Sequence, residues 1–381
     1  MSERLHIALL GAGQLGGSFI LALRESGAEV FVTAYDPATN HSEALKARGA
    51  VDVVCPTPED AAKDADMVLF ACPLGTYRAL AAAIAPVVAN GTIVTDLGSV
   101  KGSMVGIAHL LPHAHMVPAH PIAGSEKSGP SAARGDLFQG KLCILTPDHD
   151  TDENAFRAVE ALWEMAGCDV IAMPHEVHDQ IYAYVSHLPH IIAFVAASDF
   201  HARGITVAAE DKMLQQFLRI SRSNPRMWTD VALENRTALL PVLGTYIALL
   251  EHFASELRAG EPADAALDNN SLAKTLLPRV LAACLISSVS LYEQQSASNL
   301  RPFAAGGMRD MVAPAALTPE ADTEAMSHNA VAMAEVIEGI IPRFRALESL
   351  IGAEDAPALY ASISQMVEDA HALITPRNTH N

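Results

Sequence analysis

The chain has 381 residues, half of them hydrophobic, with a formal net charge of -19 and an isoelectric point near 5.2. That length holds two or three domains at roughly 150 residues each. The acidic excess repels phosphate backbones and anionic lipid heads, which argues against nucleic acid and membrane surfaces as main partners. An anionic small molecule would need locally placed arginines.

From residue 5 to about 170, short apolar runs (LHIALL, FVTAYD, MVLFAC, TIVTDLG, HMVPAH, LCILTP) alternate with helical stretches. This alternation predicts a parallel sheet with crossover helices over residues 1–172. The first run leads into Gly11-x-Gly13-x-x-Gly16 and then the helical SFILALRES. Gly11 permits the tight turn, Gly13 lets backbone approach a pyrophosphate, and Gly16 lets helix and strand pack closely. The helix N-terminus, at Gln14 and Leu15, offers amide donors. Asp36 ends the second strand, 20 residues after Gly16. An acid there accepts hydrogen bonds from ribose hydroxyls and repels a 2'-phosphate, so the expected cofactor is NAD rather than NADP. The glycines inside this apolar N-terminus also argue against a signal peptide.

Further strand ends carry CPLG at Cys72 and Pro73, DLGSVKG at Asp96, and AHPIAG at Ala119. Ligands of parallel sheets sit beyond the carboxyl ends of strands, which makes Ser99, Lys101 and His120 candidate cleft residues. The five cysteines, Cys55, Cys72, Cys143, Cys168 and Cys284, are scattered without metal-knuckle spacing, the pattern of reduced thiols in a cytoplasmic protein. PHEVHD, with His175, Glu176, His178 and Asp179, has no evident remote ligand to complete a metal site, and no metal is expected.

After Pro174 the chain becomes rich in Ala, Leu and Met at helical spacing, predicting an all-helical domain over 173–381. Its longest apolar run, Ala238 to Leu250, is shorter than the roughly 18 residues of a membrane span. HLPHIIAFVAA at His187 is echoed by LLPRVLAACLI at Leu276, 89 residues on, and Asn235 by Asn329, 94 residues on. Either residues 186–267 and 275–372 are repeats, or Ala/Leu-rich helices resemble one another by composition. The polar TPRNTHN after Ile374 is expected to fray.

DLGSVKG, HPIAGSEKSG, the HD at His178, SHLPH at Ser186 and FLRISRSNPRMWTDVALEN at Phe217 occur in an order that resembles the prephenate/arogenate dehydrogenases of tyrosine biosynthesis. The resemblance spans about residues 5 to 255 and implies NAD-dependent oxidative decarboxylation of prephenate to 4-hydroxyphenylpyruvate. Arogenate and 4-amino-4-deoxyprephenate are the near alternatives. It implies His120 as the catalytic base with Ser99 beside it, Arg219, His190 and His187 on the substrate's carboxylates or carbonyl, Lys101 nearby, and Glu126 at the pocket mouth. A guanidinium suits a carboxylate because it binds through a planar fork. A generic hydroxyacid dehydrogenase would not explain these helical-domain residues, and a catalytically inactive NAD-binding protein would have no use for intact Ser99, His120 and Arg219.

One departure stands out. The family pattern has Phe-Arg-Asp-Phe before its Thr-Arg, where this chain has Gln216 in place of the acid, while FAAGGMRDMV at Phe303 looks like the displaced segment. In the second repeat Ala313, Leu276 and Arg279 replace the residues matching Arg219, His187 and His190. The family's helical domain pairs with that of a second subunit, so a homodimer is expected, or a monomer if the duplicated copy replaces the partner.

Overall fold

Strand β1 (Leu5–Leu10) pairs in parallel with β2 (Val30–Tyr35) on one side and β4 (Met67–Phe70) on the other, with Leu9 opposite both Ala34 and Leu69. The computed structural model describes residues 4–124, 127–208, 210–259, 267–304, 306–316 and 319–373. With β3 (Val53–Val54), β5 (Ile93–Asp96) and β6 (His115–Met116) these strands form one parallel sheet in the order β3-β2-β1-β4-β5-β6. The change of direction between β1 and β4 is the dinucleotide-binding topology, with the ligand crevice at the switch point. Continuous apolar runs suit central strands covered on both faces: Ile7 to Leu10 and Met67 to Phe70 are fully buried.

Two of the predicted strands belong elsewhere. HMVPAH divides into β6 and β7 (Ala119–Pro121), and LCILTP becomes β8 (Lys141–Leu145), which pairs antiparallel with β7 and parallel with β9 (Cys168–Ala172) in a separate three-stranded sheet. Pro118, between β6 and β7, has no N–H to continue the first ladder, and its carbonyl accepts from Thr146 N at 2.9 Å. The core beneath the glycine loop is closed by Phe19, Phe138 and Trp163, whose rings lie 4.4 to 6.5 Å apart. Cys55, Cys143, Cys168 and Cys284 are buried and every cysteine is free.

Two units make up the chain, the first reaching to Asp179 and the second starting at Gln180. The first thus extends past the expected residue 172, because His178 and Asp179 bond within it. All regular elements described in the second unit are helical, among them Leu188–Ala202, Pro225–Glu234, Arg236–Ala259, Leu277–Ser296, Ala330–Gly352 and Ala356–Ala372. A π-helical turn, Ala183–His187, precedes Pro189, which cannot donate to a normal helical ladder. Contrary to the sequence expectation, two described helices are long and apolar enough to cross a membrane, His175–Ala202 and Arg236–Ala259. In the first, 89% of the apolar window is buried within the protein, so core packing accounts for its hydropathy. The second packs along Ala330–Gly352.

Candidate active site

The glycine loop fits a dinucleotide. Gly11 has φ +103°, and a Cβ there would lie 2.5 Å from the Ala71 carbonyl oxygen. Gly13 caps helix Gln14–Glu25 without a side-chain bond to its amides, and a Cβ at Gly13 would meet nothing within 4 Å. Amide donors and open space therefore coincide where a pyrophosphate would sit. At Gly16 a Cβ would press on Ala71 and the Gly11 carbonyl at 2.8 and 2.9 Å. Asp36 Oδ2 accepts from Ala12 N at 2.8 Å and Oδ1 from Ala38 N at 2.9 Å, so the acid braces the loop at the end of β2. Gln14 and Leu15 open the helix as expected, with Gln14 Nε2 3.4 Å from the Ala132 carbonyl. Cys72 and Pro73 follow β4; burial pushes the Cys72 thiol up to about 12, which leaves it protonated and unreactive.

Beyond β5, Asp96 ties the strand ends together. Its carboxylate accepts from Tyr77 Oη and Gly98 N at 2.9 Å and from Ala119 N at 3.0 Å. The Lys101 ammonium donates to both Asp96 oxygens at 2.7 and 2.6 Å and to the Ala119 carbonyl at 2.6 Å. Lys101 is fully buried, so the expectation that it binds substrate is corrected: its donors are spent inside the protein, fixing the DLGSVKG turn against β7. Burial lowers its pKa, opposed by the Asp96 charge. Ser99 lies half-buried on the turn so fixed. Glu126 lies outside the described residues.

His120 is buried on β7, and its Nδ1 lies 2.8 Å from Nε2 of His178. His178 Nδ1 in turn lies 2.8 Å from Asp179 Oδ1. Asp179 also accepts from the amides of Lys101 and Gly102, both at 2.8 Å. Burial would raise the Asp179 pKa, but these bonds outweigh it and hold the carboxyl below its ordinary value, ionised. Burial lowers the pKa of His178 and keeps it neutral near pH 7. The proton positions follow by elimination. Asp179 can only accept, so His178 carries its proton on Nδ1; its Nε2 then accepts from His120 Nδ1–H. With Nδ1 committed to donating, the lone pair of a neutral His120 ring falls on Nε2, the arrangement a general base requires. In the sequence His178 and Asp179 are weighed as metal ligands and count among the motifs of the family resemblance, without a role for either behind His120; their adjacency in HD is the available signal.

In the helical unit, the two predicted histidines separate in character. His187 is 1% exposed and its Nδ1 bonds Asn235 Nδ2 at 2.8 Å, which places it in the core rather than on an open face. The ring of His190 stacks on Trp228 at 3.5 Å between centroids, and its Nδ1 donates to the Ser186 carbonyl at 2.8 Å. Burial pushes its pKa down to about 3. A neutral ring donating through Nδ1 leaves Nε2 as an acceptor, which suits a hydroxyl or ammonium better than the carboxylate expected from sequence. Arg219 opens the 3-10 turn Arg219–Arg222 with its side chain half exposed. Asp310 accepts from Arg219 Nε at 2.6 Å and from Nη2 at 2.5 Å, and from Gln216 Nε2 at 2.8 Å. The acid missing at position 216 is therefore present in space.

The family model described as the prephenate dehydrogenase nucleotide-binding domain matches residues 19–172. The model of the prephenate dehydrogenase dimerization domain matches twice, over 174–276 and 271–365. The chain is 35% identical over 276 residues to the cyclohexadienyl dehydrogenase of Zymomonas mobilis, covering 67% of this chain and 94% of that enzyme. It is 29% identical over 241 residues to the prephenate dehydrogenase of Bacillus subtilis, covering 61% and 65%. The crystal structure of prephenate dehydrogenase from Aquifex aeolicus in complex with hydroxyphenyl propionate and NAD+ aligns with a TM-score of 0.60 and 32% identity, covering 67% of this chain and 90% of that one. Two domain models in the expected order, together spanning most of the chain, and a nucleotide-binding topology make the chain a member of the prephenate dehydrogenase family.

Proposed function

We propose that the protein is an NAD-dependent prephenate dehydrogenase, forming 4-hydroxyphenylpyruvate and carbon dioxide. The observation that carries this reading is the chain Asp179–His178–His120, which commits His120 Nδ1 and turns Nε2 into the nitrogen that can act as base; Ser99 lies on the turn that Lys101 and Asp96 tie to the neighbouring Ala119. Gly13 and the first amides of helix Gln14–Glu25 would hold the pyrophosphate, with Gly11 making the turn and Gly16 the close packing that place them, and Asp36 would hold the adenosine ribose. NAD, when bound, supplies the hydride acceptor.

His120 Nε2 takes the proton of the ring hydroxyl while the hydrogen on the same carbon leaves with its electron pair. Ser99 orients the hydroxyl. The resulting dienone loses the ring carboxylate as carbon dioxide; the electron pair left behind completes the aromatic ring, and the phenol oxygen recovers the proton from His120. Such a positioned base contributes roughly a hundredfold to ten-thousandfold. Arg219 binds a substrate carboxylate through the part of its guanidinium that Asp310 does not occupy.

A second reading, arogenate, is favoured by His190, whose neutral Nε2 accepts and so suits an ammonium group. Reduced-nicotinamide formation with NAD or NADP and, separately, prephenate, arogenate and 4-amino-4-deoxyprephenate decides among them. Turnover with NAD and prephenate is expected. No turnover with any of the three acids, despite NAD binding, would remove the reading.

A further inference from the structure

Four consecutive elements of the helical unit start again at one constant offset. Helix Lys212–Phe217 is followed by the 3-10 turn Arg219–Arg222, helix Pro225–Glu234 and helix Arg236–Ala259. Adding 94 to each starting position gives the starts of Gly306–Val312, Ala313–Ala316, Pro319–His328 and Ala330–Gly352. Earlier in each set, Leu188–Ala202 and Leu277–Ser296 start 89 residues apart, each with proline in its first turn.

Buried positions repeat as well. Leu239, Val242, Leu243, Tyr246 and Leu250 correspond to Met333, Val336, Ile337, Ile340 and Phe344, all at most 1% exposed. Asn235 and Asn329, both 3% exposed, precede the two long helices. Shared composition does not fix the starts of four consecutive elements, and the dimerization-domain model matches once over each copy.

The copies also pack as the halves of a two-fold dimer pack. Helix Arg236–Ala259 lies along its own counterpart, Ala330–Gly352, and Gln216 bonds Asp310, its equivalent position. Contact between equivalent residues marks a two-fold axis. Across that axis, one set of functional groups is complete and the other is not. Around Arg219 and His190 of the first copy stand Asp310, Gly306 and Gly307 of the second. A Cβ at Gly307 would come 3.4 Å from His190 Cε1, and one at Gly306 3.6 Å from Arg219 Nη2. On the opposite side the arginine is Ala313, the acid Gln216, and the glycines Lys212 and Met213. Each copy has lost what only the second site would use.

We propose that residues 275–372 are a built-in partner subunit: the second copy occupies the place of a dimer partner, and its Asp310 is a positioning residue that sets Arg219 for the substrate carboxylate. The chain then has one composite substrate site. Taking two donors of the guanidinium fixes the plane of the fork, and the side chain, otherwise half exposed, is ordered before substrate arrives.

The role of Arg219 rests on the function proposed above, so the test has one arm that uses no substrate. Sedimentation equilibrium of the full chain is expected to give a single species of 40.4 kDa. A tight dimer of twice that mass would overturn the in-chain pairing. In the kinetic arm, Asp310→Asn is expected to raise KM about tenfold with kcat nearly unchanged, as for a charged hydrogen bond lost in substrate binding. Arg219→Ala with Asp310→Asn should then be no worse than Arg219→Ala alone. Additive effects, or a fall in kcat at constant KM, would overturn the positioning role. An inactive wild type would count against the proposed function alone, leaving the sedimentation result to stand.

Discussion

A histidine acts as a base only while one nitrogen stays unprotonated and aimed, and in the role proposed for His120 that condition would be set by the two residues behind it, His178 and Asp179. Asp179→Asn removes the acceptor that fixes the His178 tautomer and is expected to lower kcat roughly 10- to 100-fold, the usual range for a group that orients a functional imidazole. NAD binding, measured by quenching of protein fluorescence, should stay unchanged; equal loss of both would mean the change is structural. The depressed Asp179 pKa also stabilises the fold above its ordinary value of 3.8, a contribution lost as pH falls through the folded value. His190 adds a second acid sensitivity. Its pKa falls from 6.5 to about 3 on folding, so between those values the unfolded chain binds the extra proton and stability drops as pH drops. Going from pH 7 to pH 5 should cost on the order of 1–2 kcal/mol through this residue, and His190→Gln should flatten that slope in urea unfolding. The placement of His120, Arg219, Asp36 and the loop glycines was legible in the sequence because each sits in a motif tied to a strand end or turn. Lys101 was misread because residue type does not report burial: it lies in a family motif and spends its three donors on Asp96 and the Ala119 carbonyl.

Among the elements, the strand–loop–helix at β1 separates two uses of glycine that sequence presents as one pattern. Gly13 faces open space, whereas Gly16 is pressed between Ala71, Leu9 and the Gly11 carbonyl. Gly13→Val should leave thermal unfolding of the free protein nearly unchanged and raise the Kd for NAD by at least tenfold, since the branched side chain occupies the approach to the helix amides. Gly16→Val should instead destabilise the free protein by about 1–3 kcal/mol, the range for overpacking, because helix Gln14–Glu25 must lift from the sheet. Calorimetry without nucleotide separates the two; equal losses of stability would contradict the assignment of Gly13 to the ligand. The alternation of apolar runs was enough to find the parallel sheet. It failed at HMVPAH and LCILTP, where one proline moved β7 and β8 into a second sheet, because ladder partners are set by distant strands rather than local pattern.

For the whole helical unit, the sequence showed two similar halves without showing that each forms part of the other's core. Tyr246 of the first copy meets Phe344 of the second at 5.4 Å, edge to face, and neither ring is exposed. A core shared in this way cannot melt by halves, because unfolding the second copy would expose the buried face of Arg236–Ala259 to water. Phe344→Ala, a substitution far from His190 and Arg219 in sequence, is expected to cost about 3–5 kcal/mol. Its effect should fall on the first copy as much as on the second. Followed by far-ultraviolet circular dichroism, the helical unit should still unfold in one transition at a lower temperature. Hydrogen exchange should show Val242, Leu243 and Tyr246 losing protection together with Val336, Ile337 and Ile340. If only residues 275–372 lost protection while residues 186–259 kept theirs, the copies would be independent modules, and Asp310 would have no stable frame from which to hold Arg219.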